Sequence, residues 1–401
     1  MSEDYFSILF DDAIGQRRLA GANVLLIKNG SEVFSGSYGM ADIERGIPMR
    51  RDAVFRMFSM SKPVTAAAVM ILVDRGIIDL MDSVDKYLPG FGNGQVAVMD
   101  EPVAGGDARG LKYHLEPVPR SVTLQDLMTM TSGVCYPGIE SAAHIEVARR
   151  FDEWLAQARP GDYSGTVAFA NAIGSCPLAF RPGERWMYGF SADILGAVVE
   201  VATGRRFGDF LRDEIFTPLG MLSTGFTMTK DMRERLAQTY EDDPAGGIRP
   251  FTGSNLGLGD YPDSPLFESG GAGLLSTIDD YARFAMMLAG EGWYNGRRLL
   301  SPNAVRFMRT NQLSPEIRER DMNWYSTVGH GYGSLMRVLE KPEVQATTAP
   351  AGEYGWDGWM GTYFVIEPAS RSVILYLKQK TNAGFDDITR RVRAIAYGQY
   401  L

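Results

Sequence analysis

Apolar residues follow two different periods along this chain. Between residues 60 and 75, Val64, Ala67, Ala68, Ile71 and Leu72 recur at i, i+3, i+4, i+7 and i+8, the single-face repeat of a helix, and Gly76 follows as a stop. Helical stretches are also predicted over 3–18, 124–129, 142–158, 192–203, 278–289, 302–309 and 385–400. Near the N terminus, 22–28 and 32–38 read as strands separated by Asn29-Gly30, a dipeptide suited to a tight hairpin turn. Short β-branched or aromatic runs return late, at 331–339, 362–366 and 372–378. The polar, Gly/Pro-rich stretch 241–269 reads as surface loop.

Strands at both ends with helices between do not repeat as βαβ units. They predict an α+β fold: one antiparallel sheet assembled from both chain ends, flanked by helices, with a mainly helical domain inserted. The expected division is a discontinuous α/β sandwich domain, 1–82 and 270–401, around a helical domain at 83–269. A chain of 401 residues can bury a substantial core in that arrangement.

Composition narrows the function. Forty Lys+Arg against 49 Asp+Glu give a net charge of −9, which argues against a nucleic-acid partner. No apolar run approaches a membrane span, no polybasic stretch suits an anionic membrane, and the opening MSEDYFSILFDDAIG has no signal-peptide pattern. With only Cys135 and Cys176, no disulfide framework or C-x-x-C is present, so a reduced, cytoplasmic protein is expected. There are three histidines, no G-x-S-x-G and no H-E-x-x-H. No metal or organic cofactor is implied, and nothing in the sequence fixes an oligomeric state.

Ser59-Met60-Ser61-Lys62 is an S-x-x-K motif at the head of the 60–75 helix. A separation of three puts Lys62 one turn from Ser59 on the same face. A lysine kept neutral by burial can take the serine proton, and the helix N-terminus favours an oxyanion nearby. The same spacing also fits a capping serine followed by an exposed lysine, with Ser61 as a competing cap. Ser83-Val-Asp-Lys86 meets the pattern too, but Asp82 and Asp85 beside it read as a surface charge cluster. Tyr188, just ahead of the 192–203 helix, can bring a phenol to the nucleophile or simply pack. In Trp356-Asp-Gly358-Trp359, glycine permits close backbone approach, and the Trp359 N–H can join that of Ser59 as an oxyanion hole.

The order S-x-x-K, tyrosine motif, W-x-G resembles the serine β-lactamase-like (penicillin-binding) superfamily, and within it the class C β-lactamase-related carboxylesterases, or family VIII esterases. Thr123–Gly133, Ile194–Gly204, Pro218–Met221 and Gly270–Thr277 carry the likeness over nearly the whole chain. The resemblance implies Ser59 as acyl-forming nucleophile, with Lys62 and Tyr188 as proton-transfer groups; which is the base in each step is left open. It implies an active site between a sandwich domain and a helical domain.

Antibiotic-hydrolysing relatives generally carry Y-x-N and K-T-G. Here Phe190 takes the asparagine slot and Trp356 the lysine slot, removing an amide and a cation for a substrate carboxylate. That favours a small-molecule acyl ester, with Phe190, Trp356, Gly358 and Tyr136 at the substrate and Trp359 completing an apolar wall. Rival expectations are β-lactamase or D-amino-acid peptidase activity, acyl transfer to a non-water acceptor, and a non-catalytic family member. Met130, where many relatives have histidine, has no assigned consequence. Cys135 and Cys176 read as small buried residues and His114 and His330 as structural or surface residues, with His330 close enough before a strand to line the cleft.

Overall fold

Asn29 and Gly30 take φ of 49° and 77°, the paired left-handed turn that closes a two-residue hairpin. In the computed structural model, β1 (Gly21–Lys28) and β2 (Ser31–Asp42) therefore fold back on each other, with the short β3 (Ile47–Pro48) beside β2. The structure describes residues 4–161, 165–258, 265–324 and 326–401. The first residue of the helix expected over 3–18, and 259–264 of the expected loop, lie outside the described residues.

The late strands are β4 (His330–Tyr332), β5 (Arg337–Leu339), β6 (Tyr354–Asp357), β7 (Tyr363–Glu367) and β8 (Ser372–Leu377). Because β8 pairs with β1, both chain ends meet in mid-sheet, in the order β4-β5-β6-β7-β8-β1-β2-β3, every pair antiparallel. Two details differ from expectation. The run 331–339 is a hairpin, not one strand: Leu335 takes φ 55°, and Gly333 packs so closely that a Cβ would lie 2.2 Å from the Met308 carbonyl. Within 241–269, Tyr240–Asp242 and Ile248–Pro250 pair as a small ribbon.

The longer helices are α1 (Tyr5–Gly15), α2 (Ser61–Asp74), α3 (Ala142–Gln157), α4 (Gly165–Gly174), α5 (Ser191–Thr203), α6 (Ile278–Ala289) and α7 (Asp387–Gln399). Alternate residues of the central strands serve opposite layers. Val24, Leu26, Val365, Ile374 and Tyr376 pack with Phe6 and Phe10 of α1 and Val392 of α7. Leu25, Ile27, Phe364 and Leu375 join the larger core that includes α2, α5 and α6. Burial on both faces explains why β1 and β8 read as continuous apolar runs. Every residue of α2 from Ser61 to Leu72 is buried, so the amphipathic pattern understates how central this helix is. Glu353, beside β6, receives Arg393 and Tyr397 of α7, and both partners of the ion pair are buried.

Leu26 has no exposed surface and fills the α1/α7 layer. Leu26→Ala is expected to lower the unfolding free energy by about 2–5 kcal/mol, read from urea denaturation against wild type.

Candidate active site

Ser59 is positioned by backbone held on both sides. The Met57 N–H donates to Leu274 O at 2.9 Å, and Met57 O accepts Thr362 Oγ1 at 3.0 Å and the Met60 N–H at 3.2 Å. Between these anchors Phe58 takes φ 45°, a conformation costing an L-residue about 1–2 kcal/mol. Its ring lies 5.4 Å from Trp359 and packs with Ala272 and Met360. The strained residue delivers Ser59 on a single 3₁₀ turn (Phe58–Met60) that runs into α2. Ser61 is not a cap: its hydroxyl accepts the Leu274 N–H at 3.0 Å, tying the head of α2 to the strand before α6.

Lys62 has no exposed surface. Its Nζ lies 3.2 Å from Ser59 Oγ, 3.1 Å from Tyr136 Oη and 2.9 Å from Gly271 O. Burial pulls its pKa down to about 7, opposed by the charges of Asp193 and Asp357. Asp193, in the first turn of α5, is 2% exposed and accepts the Ser269 hydroxyl and the Gly271 N–H. Burial raises its own pKa, while Lys62 opposes that rise. The glycines of Gly270-Gly271 allow this approach, since a Cβ on Gly271 would stand 2.4 Å from Asp193 Oδ2 and one on Gly270 2.5 Å from Ala192 O.

Tyr188 reaches the same point from the helical side. Its hydroxyl accepts the Trp356 indole N–H at 3.1 Å; burial pushes its pKa well up, against the pull of the Ser59 hydroxyl beside it and of Trp356. The Lys62 ammonium position lies 4.4 Å from the Tyr188 ring centre. Tyr136 meets Tyr188 edge-on at 5.6 Å. Two backbone devices bring these tyrosines together. Gly189 abuts the Val134–Cys135 backbone, where a Cβ would lie 2.2 Å from Val134 O. Met130, with φ 59°, presents its carbonyl to the Met187 N–H at 2.9 Å. The Met130 side chain is fully buried in the core.

The W-x-G turn lies against the backbone just ahead of Ser59: a Cβ on Gly358 would be 2.3 Å from Met57 O and 2.2 Å from Thr362 Oγ1. Among the described residues, neither the Ser59 nor the Trp359 backbone N–H donates to another backbone carbonyl. Trp359 is partly buried between Phe58 and Phe251 and donates its indole N–H to Asn382.

The residues expected at the substrate are distributed unevenly. Phe190 is 1% exposed and packed edge-on against Tyr136 and Phe169, so it backs Tyr136 rather than opening to solvent. Trp356, at 3% exposure, is engaged with Tyr188. A cavity of ≈ 390 Å³ does open on Tyr136 and Tyr188, walled by Trp186 and Trp324 and rimmed by Arg185 and Arg320. Its size suits a small organic molecule. The sequence reading missed Asp193, the hydroxyl role of Tyr136, Gly271 O and Trp324. Asp193 had a signal: it is the only charge in the apolar stretch 191–199.

Other singled-out residues stand apart. Lys86 is exposed and paired with Asp82 at 2.7 Å. Cys135 is buried with its thiol pKa raised, and burial lifts that of Cys176 to about 11. His114 is exposed between Asp100 and Glu116. His330 is buried, its pKa lowered to about 3 by desolvation and then by Arg337 and Arg393. Among the described residues no helix is long and apolar enough to cross a membrane, and no group of three His, Cys, Asp or Glu is placed to hold a metal ion.

Residues 6–398 match the family model described as Beta-lactamase. The chain is 32% identical to Protein Rv1367c of Mycobacterium tuberculosis, over 90% of this chain and 86% of that protein. It is 30% identical to Esterase EstB of Burkholderia gladioli, over 95% of this chain and 90% of the esterase. Among solved structures it is similar to EstCE1, a hydrolase with promiscuous acyltransferase activity, with a TM-score of 0.79, 23% identity and coverage of 98% and 97% of the two chains.

Gly358→Ala is expected to force the W-x-G turn off the Met57 carbonyl. Thermal unfolding should report a loss of about 1–3 kcal/mol, and labelling of Ser59 by a fluorophosphonate should slow.

Proposed function

The chain belongs to the beta-lactamase family, and from that premise we propose how it works as a serine ester hydrolase or acyl-transfer enzyme: Ser59 is the nucleophile, Lys62 its base and Tyr188 the relay to the leaving group. The observation that carries this reading is the set of three oxygens around Lys62 Nζ. A neutral amine has two N–H bonds and one lone pair. Gly271 O can only accept, and the Tyr136 oxygen can accept the second N–H, which leaves the lone pair facing the Ser59 hydroxyl. The Trp356 N–H in turn occupies the Tyr188 oxygen, and the neutral phenol keeps its proton available for the departing oxygen.

Acylation then runs in one direction. Ser59 Oγ gives its proton to Lys62 and bonds to the ester carbonyl carbon, while the carbonyl oxygen becomes an oxyanion held by the Ser59 and Trp359 N–H groups. As the C–O bond to the alcohol breaks, Tyr188 gives its proton to the departing oxygen and recovers one from the Lys62 ammonium. Water attacks the acyl-Ser59 carbonyl by the reverse route, losing a proton through the same pair, and the acid leaves with Ser59 restored. An alcohol in place of water gives acyl transfer; the solved hydrolase with promiscuous acyltransferase activity makes that variant a natural one. No cofactor enters either half. Ser59, Lys62 and Trp356 belong to the assigned sandwich domain (1–82 and 270–401), and Tyr136, Tyr188 and Asp193 to the helical one (83–269), so the site needs both.

The substrate is an acyl ester that needs no carboxylate, since Trp356 in the lysine slot offers no cation to one. The cavity beside Tyr188 takes its alcohol or acyl portion, with Trp324 at the entrance. Apolar contact also comes from Trp359, while Phe190 supports Tyr136 from behind. Gly358 serves by letting the turn approach, and not by contact with substrate.

Intact-mass analysis after exposure to short-chain nitrophenyl esters should find one acyl group on Ser59, and Ser59→Ala should neither acquire it nor release nitrophenol. Turnover undiminished in that variant overturns the assignment. With Lys62 as base, kcat/KM should rise with pH through about 7 as the ammonium loses its proton. Asp193→Asn removes a charge that favours the ammonium, so the rise should move to lower pH; movement to higher pH would contradict the assignment.

A further inference from the structure

A guanidinium is buried directly behind Trp356. Arg337 opens β5 with its side chain 2% exposed and stands opposite Gly355 of β6. Asp357, two residues further along β6, falls on the same face and forms an ion pair with it. The guanidinium carbon lies 5.2 Å from the centre of the Trp356 ring, 5.0 Å from Phe385 and 5.7 Å from Tyr363. Its Nη2 is buried with no hydrogen-bond partner, so that edge of the group meets aromatic faces instead of oxygen, as a stacked cation does. Packing alone would be met by two apolar side chains of similar volume, without a buried ion pair to desolvate.

The next contact outward is the one that matters for chemistry. Trp356 Nε1 donates to Tyr188 Oη at 3.1 Å, and the Tyr188 hydroxyl stands beside that of Ser59. An indole can serve as a directional donor only while its plane is held, and Arg337 and the rings around it hold that plane.

We propose that Arg337 is a positioning residue for the Tyr188 relay: anchored by Asp357, its guanidinium fixes the Trp356 indole so that the ring N–H meets the Tyr188 oxygen and the phenol stays beside Ser59. The proposal rests on the role given above to Tyr188. It also gives the buried guanidinium a task that neither the sheet nor the substrate requires.

The test is a coupling experiment on the purified full chain, with kcat counted per Ser59 site titrated by a fluorophosphonate. R337M/D357N removes both charges together, so that neither is left buried and unpaired. W356F keeps an aromatic ring, though a smaller one, and loses the donor. With kcat read on its high-pH plateau, where the loss of the Asp357 charge near Lys62 no longer counts, each should lower kcat on a nitrophenyl ester about tenfold with KM within about twofold, and the combined variant should be no more than about twofold worse than W356F, because both then act through one hydrogen bond. If R337M/D357N does not fold, R337K, which keeps the charge but not the flat stack, should lower kcat per site severalfold. Unchanged kcat per site in the Arg337 variants, or losses that multiply, overturns the proposal. So does unchanged kcat in W356F, although a wild-type Ser59 that still labels would leave the nucleophile intact. Failure of wild-type Ser59 to label would instead remove the catalytic reading itself.

Discussion

An amine with no exposed surface must either stay neutral or be matched by charge, and the arrangement around Lys62 does some of each. Desolvation lowers its proton affinity, while Asp193 and Asp357 act in the other direction. The resulting pKa of about 7 lets one nitrogen accept a proton and return it near neutral pH. Complete burial of α2 up to Leu72 keeps water away from that nitrogen. The glycine pair at 270–271 supplies both an acceptor carbonyl for Lys62 and the N–H that holds Asp193. Loss of burial at this one amine would return it to an ordinary exposed ammonium.

Around that amine, strain and close approach are concentrated in a few residues. Phe58 in the left-handed region turns Ser59 out of the core, and the Met57 carbonyl beneath it is gripped by Thr362. Such a conformation persists only where the surroundings over-determine it. Here Leu274 on one side and the W-x-G turn on the other do so. The glycines at 189, 271 and 358 are each positions where a Cβ would meet another segment's atoms at 2.2–2.4 Å. They let backbone from distant parts of the chain pack in contact around one serine.

Replacing a lysine by Trp356 alters the electrostatics of the groove more than its shape. The indole supplies a hydrogen-bond donor to Tyr188 without presenting a cation to the substrate. Positive charge is still present, one ring further back, in Arg337, where it is neutralised by Asp357 and shielded by aromatic faces. Tyr188 therefore remains a neutral phenol, its pKa raised by burial. A neutral phenol is suited to hand over a proton, whereas a phenolate is suited to take one.

Local order in the chain determined the hairpin at Asn29-Gly30, the helical face of 60–75, the strand-forming runs at both chain ends, and the one-turn spacing of Ser59 and Lys62. These depend on neighbours within a few residues, whose periodicity or turn chemistry is written directly in the sequence. The hairpin break at Gly333–Leu335 and the four-residue β6 escaped because so short a segment carries no period. Tertiary packing alone decided that Phe190 backs Tyr136, that Trp356 bonds to Tyr188, and that the Tyr136 hydroxyl and Gly271 carbonyl complete the surroundings of Lys62. Those partners lie 74 and 209 residues away from Lys62. Contacts at such separations are set by how buried surfaces fit together, and no local pattern encodes that fit.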